Sequence, residues 1–289
     1  MTKIIVLAPV GGTSNGADIA ANHQIVHLRA LGHDVTLVVR VPHTAEYARF
    51  LDDHGIASHV LDYGWWGDLA EDGQAMRDAA VVGALAVLLD RERFDVAITN
   101  TVHMPWLAIA AAGAGVPHLW LIHEFPSGQF ASTRAAYPFV EAFSNEILAA
   151  SPLLARELSE YVSHTPVNYF LPYTDAPGLA PGGGNGAPRL VSVNHVSEGK
   201  NTLELVKVYE LVRRRFPELT LEIRGGVNEP AYADVVRTYI AERGLGGVTF
   251  ASDPAANWAG VRQNDVVVHT SHLETFSLTL TETLKGALP

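Results

Sequence analysis

The chain of 289 residues has no cysteine. Disulfides and thiolate chemistry are thereby excluded, and a reducing compartment is permitted. Basic residues are scarce: 20 Lys and Arg stand against 31 Asp and Glu, for a formal charge of −11. That balance argues against nucleic acid and against an anionic membrane surface as the main partner, since both need a basic face. Long apolar runs are missing too. The longest, "WLAIAAAGAGVPHLWLI", is broken by two glycines, a proline and a histidine, and reads as helix, turn and strand rather than a membrane span. The N-terminal "MTKIIVLAPVGG" has one lysine and a short apolar run, a buried strand and not a full signal peptide. These absences predict a soluble, cytoplasmic protein. The 13 histidines include no H-E-x-x-H or similar ligand spacing; the nearest pair is His269 and His272. A carboxylate cluster or D-x-D triplet is also lacking, so neither a bound metal nor a cofactor is expected.

What is present is an ordinary globular mixture, 48% apolar and 18% charged, long enough for roughly two domains. Short β-rich runs alternate with helical patterns. "KIIVLAP", "DVTLVVR", "DVAITN", "HLWLIHE" and "NEILAAS" read as strands, and "AANHQIVHLRALG" as a helix stopped by Gly32. Continuous apolar strands joined by helices indicate a parallel sheet covered on both faces. Near residue 178, "PGLAPGGGNGAP" carries five glycines and three prolines and reads as a linker. The alternation then restarts. "RLVSVNH", "LTLEIRGG", "VTF" and "DVVVHTS" are strands, and "NTLELVKVYELVRRRF" and "YADVVRTYIAERG" are helices. In the first of these helices Asn201 and Glu204 suit a capping box, and Leu205, Tyr209, Val212 and Phe216 an apolar stripe. The expected fold is two doubly wound, Rossmann-like α/β domains facing a cleft: 1–177, a linker 178–188, and 189–289. The second domain, with about four strands, is expected to be incomplete.

Ligands of such folds bind at the carboxyl ends of the strands, and four stretches fall there. In "GGTSNG", Gly11 and Gly12 let a ligand approach the backbone beside a helix start; a tight β-to-α turn is the plain alternative. The second strand ends in Arg40, with no acidic residue for an NAD ribose. In "LIHEFPSGQF", His123 and Glu124 end a strand, where a neutral imidazole suits a sugar hydroxyl or a leaving oxygen; a satisfied structural histidine is the other reading. In "VNHVSEGKN", Lys200 precedes a helix and suits a diphosphate; an ordinary surface lysine is the plain alternative, and His195 is ambiguous in the same way. In "HLETFSLTLTETLKGALP", Ser277 suits a helix cap, although "FSLTLT" also permits a short strand. If the segment is helical, Glu274 and Glu282 lie about 12 Å apart along the axis, the reach between the sugar and the ribose of a nucleoside diphosphate sugar. Trp65 and Trp66 suit stacking on an acceptor sugar, or packing.

Taken in order, "GGTSNGA", "ALGHDVTLV", "IHE", "LAASPLLARELSEYV", "VSVNHVSEGKN" and the terminal E-x7-E stretch resemble the retaining GT-B glycosyltransferases of the family-4 type, over nearly the whole chain. The resemblance implies that Glu274 contacts the donor sugar, that Glu282 contacts the ribose, and that Thr275, Phe276 and Ser277 line the diphosphate and sugar pocket. It makes Lys200 the phosphate-binding lysine, His123 the cleft histidine and Gly12 part of the loop at the transfer site. His123, Lys200 and Glu274 are then the catalytic set. Gly11, Asn15, Glu124, Trp65 and Trp66 fall to the acceptor side. His195 stands where the family usually has arginine, and Ser277 where it usually has glycine. The family also continues beyond "GALP", so a truncated donor domain with weak transfer is expected. The implied partner is a UDP- or GDP-type sugar, with a sugar, lipid-linked or small-molecule acceptor, and transfer proceeds with retention and without a metal. A sugar-nucleotide epimerase of the same architecture, or a non-catalytic nucleotide-sugar-binding module, are the alternatives.

Overall fold

The computed structural model describes residues 1–9, 12, 16–65, 73–175, 189–251 and 258–289. Gly11, Asn15, Trp66 and the expected linker 178–188 lie outside the described residues. The chain divides into two compact units, Met1–Tyr173 and Thr174–Pro289.

The first unit runs β1 (Lys3–Leu7), α1 (Gly16–Ala30), β2 (Asp34–Val39), α2 (Ala45–Asp53), β3 (Ala57–Val60), α3 (Gln74–Glu92), β4 (Val96–Asn100), α4 (Trp106–Ala114), β5 (His118–Ile122), a 3₁₀ segment (Gly128–Ala136), α5 (Tyr137–Ala142), β6 (Glu146–Ala149), α6 (Pro152–Leu158) and β7 (Val167–Tyr169). Its seven strands are all parallel, in the order β3-β2-β1-β4-β5-β6-β7. Both faces are covered, which is why the central strands read as unbroken apolar runs. Ile5 and Leu7 of β1 pack with Leu85, Leu89 and Leu107 on one face. Ile4 and Val6, one residue out of phase, pack with Ile25, Tyr47 and Leu51 on the other, as the two-residue period of a strand requires. Caps set the helix starts: the Thr44 hydroxyl accepts from Tyr47 N at 3.1 Å, and that of Ser151 accepts from Leu154 N at 3.2 Å.

The second unit runs β8 (Arg189–Val193), α7 (Thr202–Arg213), β9 (Thr220–Arg224), α8 (Pro230–Glu242), β10 (Val248–Ala251), β11 (Val266–Val267) and α9 (Leu278–Lys285). Its four parallel strands lie in the order β10-β9-β8-β11. Four details differ from the sequence reading. Asn201 occupies the cap position of α7 but with left-handed backbone (φ 54°) and no side-chain cap bond; Glu204 instead pairs with Lys207 at 3.5 Å. Phe216 lies beyond the end of α7 and is exposed; Val206 takes its place in the buried stripe beside Leu205 and Tyr209. The ladder of "DVVVHTS" is confined to Val266 and Val267. "FSLTLT" is helical from Leu278 onward, so Glu274 precedes the helix and the rise-per-residue estimate of its distance from Glu282 does not apply.

α9 is fastened to the sheet. Thr279 Oγ1 donates to Val193 O at 2.9 Å, Leu288 packs with Val191, Val193 and Val261, and Val267 N donates to Pro289 O at 2.9 Å.

Candidate functional site

In the second sheet the strand order reverses at β8: β9 lies on one side of it and β11 on the other. The carboxyl edge between β8 and β11 is thus the switch point at which α/β sheets bind ligands. Two loops meet there, 194–201 after β8 and 268–277 after β11. Thr270 Oγ1 lies 3.1 Å from Lys200 O and 3.2 Å from Asn201 O, and His272 N donates to Gly199 O at 3.1 Å. Asn194 Nδ2 lies 3.1 Å from His269 Nδ1. The turn after β9 supports this edge. Gly225 has φ +146°, and a Cβ on it would sit 2.4 Å from Asn194 O, so only glycine fits there.

Stapling the loops brings Lys200 and Glu274 together. Lys200 Nζ donates to Glu274 Oε1 at 2.5 Å, and His269 Nε2 lies 3.2 Å from the same oxygen. Burial would push the Glu274 carboxyl up; His269, Lys200 and Ser271 outweigh it and hold it at about 2. The lysine expected to hold phosphate and the carboxylate expected to hold the sugar are thus each other's partners. Thr275, Phe276 and Ser277 follow directly, all half-buried. Ser277 caps α9, its hydroxyl accepting from Leu280 N at 3.2 Å. The start of a helix leaves N–H groups without intrahelical partners, the arrangement that binds anions. His195 is half-buried in the loop after β8, its Nδ1 beside Gly226. Glu282 lies in mid-helix, where both carboxylate oxygens accept hydrogen bonds, from Thr174 Oγ1 at 2.7 Å and from Trp258 Nε1 at 2.8 Å.

In the first sheet the order reverses between β1 and β4. Gly12 lies after β1; its carbonyl accepts from Asn22 Nδ2 at 2.7 Å, and among the described residues a Cβ there would meet no atom within 4 Å. Asn100, fully buried at the end of β4, ties two parts of this edge together. Its Nδ2 donates to Ala17 O at 3.1 Å, and its Oδ1 lies 2.7 Å from His123 Nε2. Because the amide nitrogen is committed to a carbonyl, the oxygen faces the ring. The proton of His123 therefore sits on Nε2, and Nδ1 is the acceptor. The donating imidazole envisaged from sequence spends its N–H inside the protein. Burial pushes His123 down to about 4, so the ring is neutral. Glu124 is turned inward at 7% exposure, where its Oε2 accepts from Val102 N at 3.2 Å and His123 N at 3.1 Å. Burial raises it to about 7. It staples the loop after β4 to the loop after β5, and this inward position does not suit an acceptor-contacting group. One ring of Trp65 stacks on His103 at 4.8 Å and 28°.

Sequence reasoning missed Asn100, Thr174, Trp258 and His269 as supports of these groups. Only His269 carried a local signal, its place at the end of an apolar strand. Among the described residues, no three His, Cys, Asp or Glu are grouped to hold a metal ion, and no helix is long and apolar enough to cross a membrane.

Two parallel, doubly wound α/β units, each with its polar loops at a sheet's carboxyl edge, define the GT-B-like class. The "Glycosyl transferase 4-like domain" model matches residues 15–165 and the "Glycosyl transferases group 1" model residues 182–289. The chain belongs to the family-4 glycosyltransferases, a retaining family. No curated protein sequence matches it significantly. Among solved structures, Anabaena Alr3699/HepE in complex with UDP and glucose is 18% identical, with a TM-score of 0.79; the match covers 100% of this chain and 80% of that one. The sucrose-phosphate synthase of Thermosynechococcus elongatus is 16% identical, with a TM-score of 0.75, and coverage of 100% and 80%. The pneumococcal O-GlcNAc transferase GtfA in complex with UDP and GlcNAc is 12% identical, with a TM-score of 0.72, and coverage of 100% and 83%. The second unit is smaller than those of these neighbours.

Proposed function

We propose that this chain uses a UDP-sugar as donor and transfers its sugar with retention, holding the diphosphate without a metal ion. The observation that carries the reading is the convergence of Lys200, Glu274 and the start of α9 at the switch point beside β8. Departure of a sugar leaves negative charge on the diphosphate. A cation and helix-start N–H groups aimed at that charge lower the barrier where it forms. The Lys200–Glu274 pair is arranged for an exchange of partners: the ammonium turns to phosphate, and the carboxylate accepts from sugar hydroxyls. Glu282 accepts from the ribose, and Thr275, Phe276 and Ser277 line the diphosphate and sugar. UDP in the HepE and GtfA complexes favours uridine over guanosine as the base. Gly12, His123 and Trp65 are assigned to the transfer and acceptor side, with Asn100 and Glu124 as their supports.

The test is a panel of UDP-, GDP- and ADP-sugars, followed by binding and by product. UDP-sugar binding that survives EDTA, with sugar transferred to an acceptor, is expected. A requirement for Mg²⁺ or Mn²⁺, an epimerised donor, or preference for another base would overturn the corresponding part.

A further inference from the structure

Glu282 is a surface-helix glutamate with unusual company. Its two oxygens are held from two sides, Oε1 by the Thr174 hydroxyl at 2.7 Å and Oε2 by the Trp258 indole N–H at 2.8 Å. The holders are themselves fixed. Thr174 is 3% exposed and its carbonyl accepts from Lys285 Nζ, one turn along α9 from Glu282. The Trp258 ring is partly buried against the cluster of Val191, Val193, Val261 and Leu288 at the base of α9.

A free glutamate rotates about three bonds, and ordering it on binding costs side-chain entropy. Here the two hydrogen bonds do that ordering within the protein itself. An indole N–H is a donor only, and each of the two bonds takes one of about four lone-pair sites on the carboxylate. One acceptor site remains on each oxygen, with the plane of the group set. Two adjacent acceptors in a fixed plane match two adjacent hydroxyls, the pattern a ribose presents and a deoxyribose lacks.

We propose that Trp258, together with Thr174, is a positioning residue that sets the carboxylate of Glu282 for the ribose diol, and so gives the site its preference for ribo- over deoxyribonucleotides. The proposal rests on the assignment of Glu282 to the ribose. Trp258 acts through Glu282 and need not touch the nucleotide.

The experiment is calorimetric titration of the full chain with UDP, 2′-deoxy-UDP and 3′-deoxy-UDP. Trp258→Phe keeps an aromatic ring in place and removes the N–H together with the pyrrole part of the indole. The parent is expected to bind UDP about tenfold more tightly than either deoxy analogue, the scale of one charge-assisted hydrogen bond. In Trp258→Phe that ratio should fall below about threefold, while affinity for the deoxy analogues stays within about twofold of the parent. Thr174→Val, which removes the other bond, should lower the ratio in the same direction and provides the answer if the tryptophan variant does not fold. Retention of the parental ratio in the folded variants would overturn the proposal. So would an equal loss for all three ligands, which is what damaged packing alone would give. A parent that binds UDP and the deoxy analogues alike would instead overturn the ribose assignment of Glu282, with or without Trp258.

Discussion

Removing the charge of Glu274 tests the exchange of partners at the switch point, because the expected result runs against intuition. Glu274 belongs to the family's signature, so its loss would ordinarily be expected to weaken every ligand. Yet this carboxylate holds Lys200 at 2.5 Å, with side chains only 31% and 23% exposed. A hydrogen bond between charged groups at such a site is worth about 1.5–3 kcal/mol net. UDP must draw Lys200 out of that bond, and UDP alone brings no sugar hydroxyl to compensate Glu274. In Glu274→Gln the lysine starts free of its counter-ion, so UDP should bind as tightly as in the parent or up to about tenfold more tightly. The extra affinity of a UDP-sugar over UDP should vanish, and transfer with it. Lys200→Met should cost UDP about ten- to a hundredfold. Titration of UDP and of a UDP-sugar into parent, Lys200→Met and Glu274→Gln gives the answer. Binding of UDP to Glu274→Gln that is weaker by tenfold or more would refute the exchange. It would mean that Glu274 organises Lys200 for phosphate rather than competing for it.

Stability of the first unit should fall on mild acidification. His118 and His123 are held neutral by burial, down to about 3 and about 4, so below 6.5 the unfolded chain takes up protons that the folded chain refuses. Glu124 works the other way: burial raises it from 4.5 to about 7, and the folded state keeps a proton the unfolded state releases. His118 and His123 against Glu124 leave a net loss of about 1.4 kcal/mol per pH unit between roughly pH 6 and pH 5, and His43, also lowered by burial, acts in the same direction. Urea titrations across that range measure it, and stability that stays flat or rises as pH falls would contradict it. Gly225→Ala should destabilise the second unit by about 2 kcal/mol or more, since the new methyl meets Asn194 O at 2.4 Å with φ at +146°; an unchanged melting temperature would show that the turn can yield.

The architecture was legible because the central strands are buried on both faces. β1, β2, β4, β5 and β6 read as apolar runs. β3 and β7 escaped notice. They are the two edge strands, "ASHV" and "VNY", largely exposed or half-exposed, and an edge strand needs no apolar signature. The E-x7-E stretch pointed to the terminal loop and helix, but not to the break in helix between Glu274 and Glu282. That break depends on Ser277, whose cap is local, and on Thr270 and His272, which bind a loop some seventy residues earlier. The supports stayed hidden for the same reason. Asn100 reaches Ala17, Trp258 reaches Glu282, and Lys200 reaches Glu274; such pairings follow from strand order, which no local pattern encodes. Glu124 looked like a ligand-facing group because it ends a strand, whereas two backbone N–H groups turn it inward.

The carboxyl edge between β8 and β11 is the proposed seat of the nucleoside diphosphate. Titration of ¹⁵N-labelled protein with UDP, read amide by amide, tests it most directly. Saturable shifts concentrated at 195–201 and 271–282, and lost in Lys200→Met, are predicted. Saturable shifts centred elsewhere, or an unchanged pattern in Lys200→Met, would contradict it.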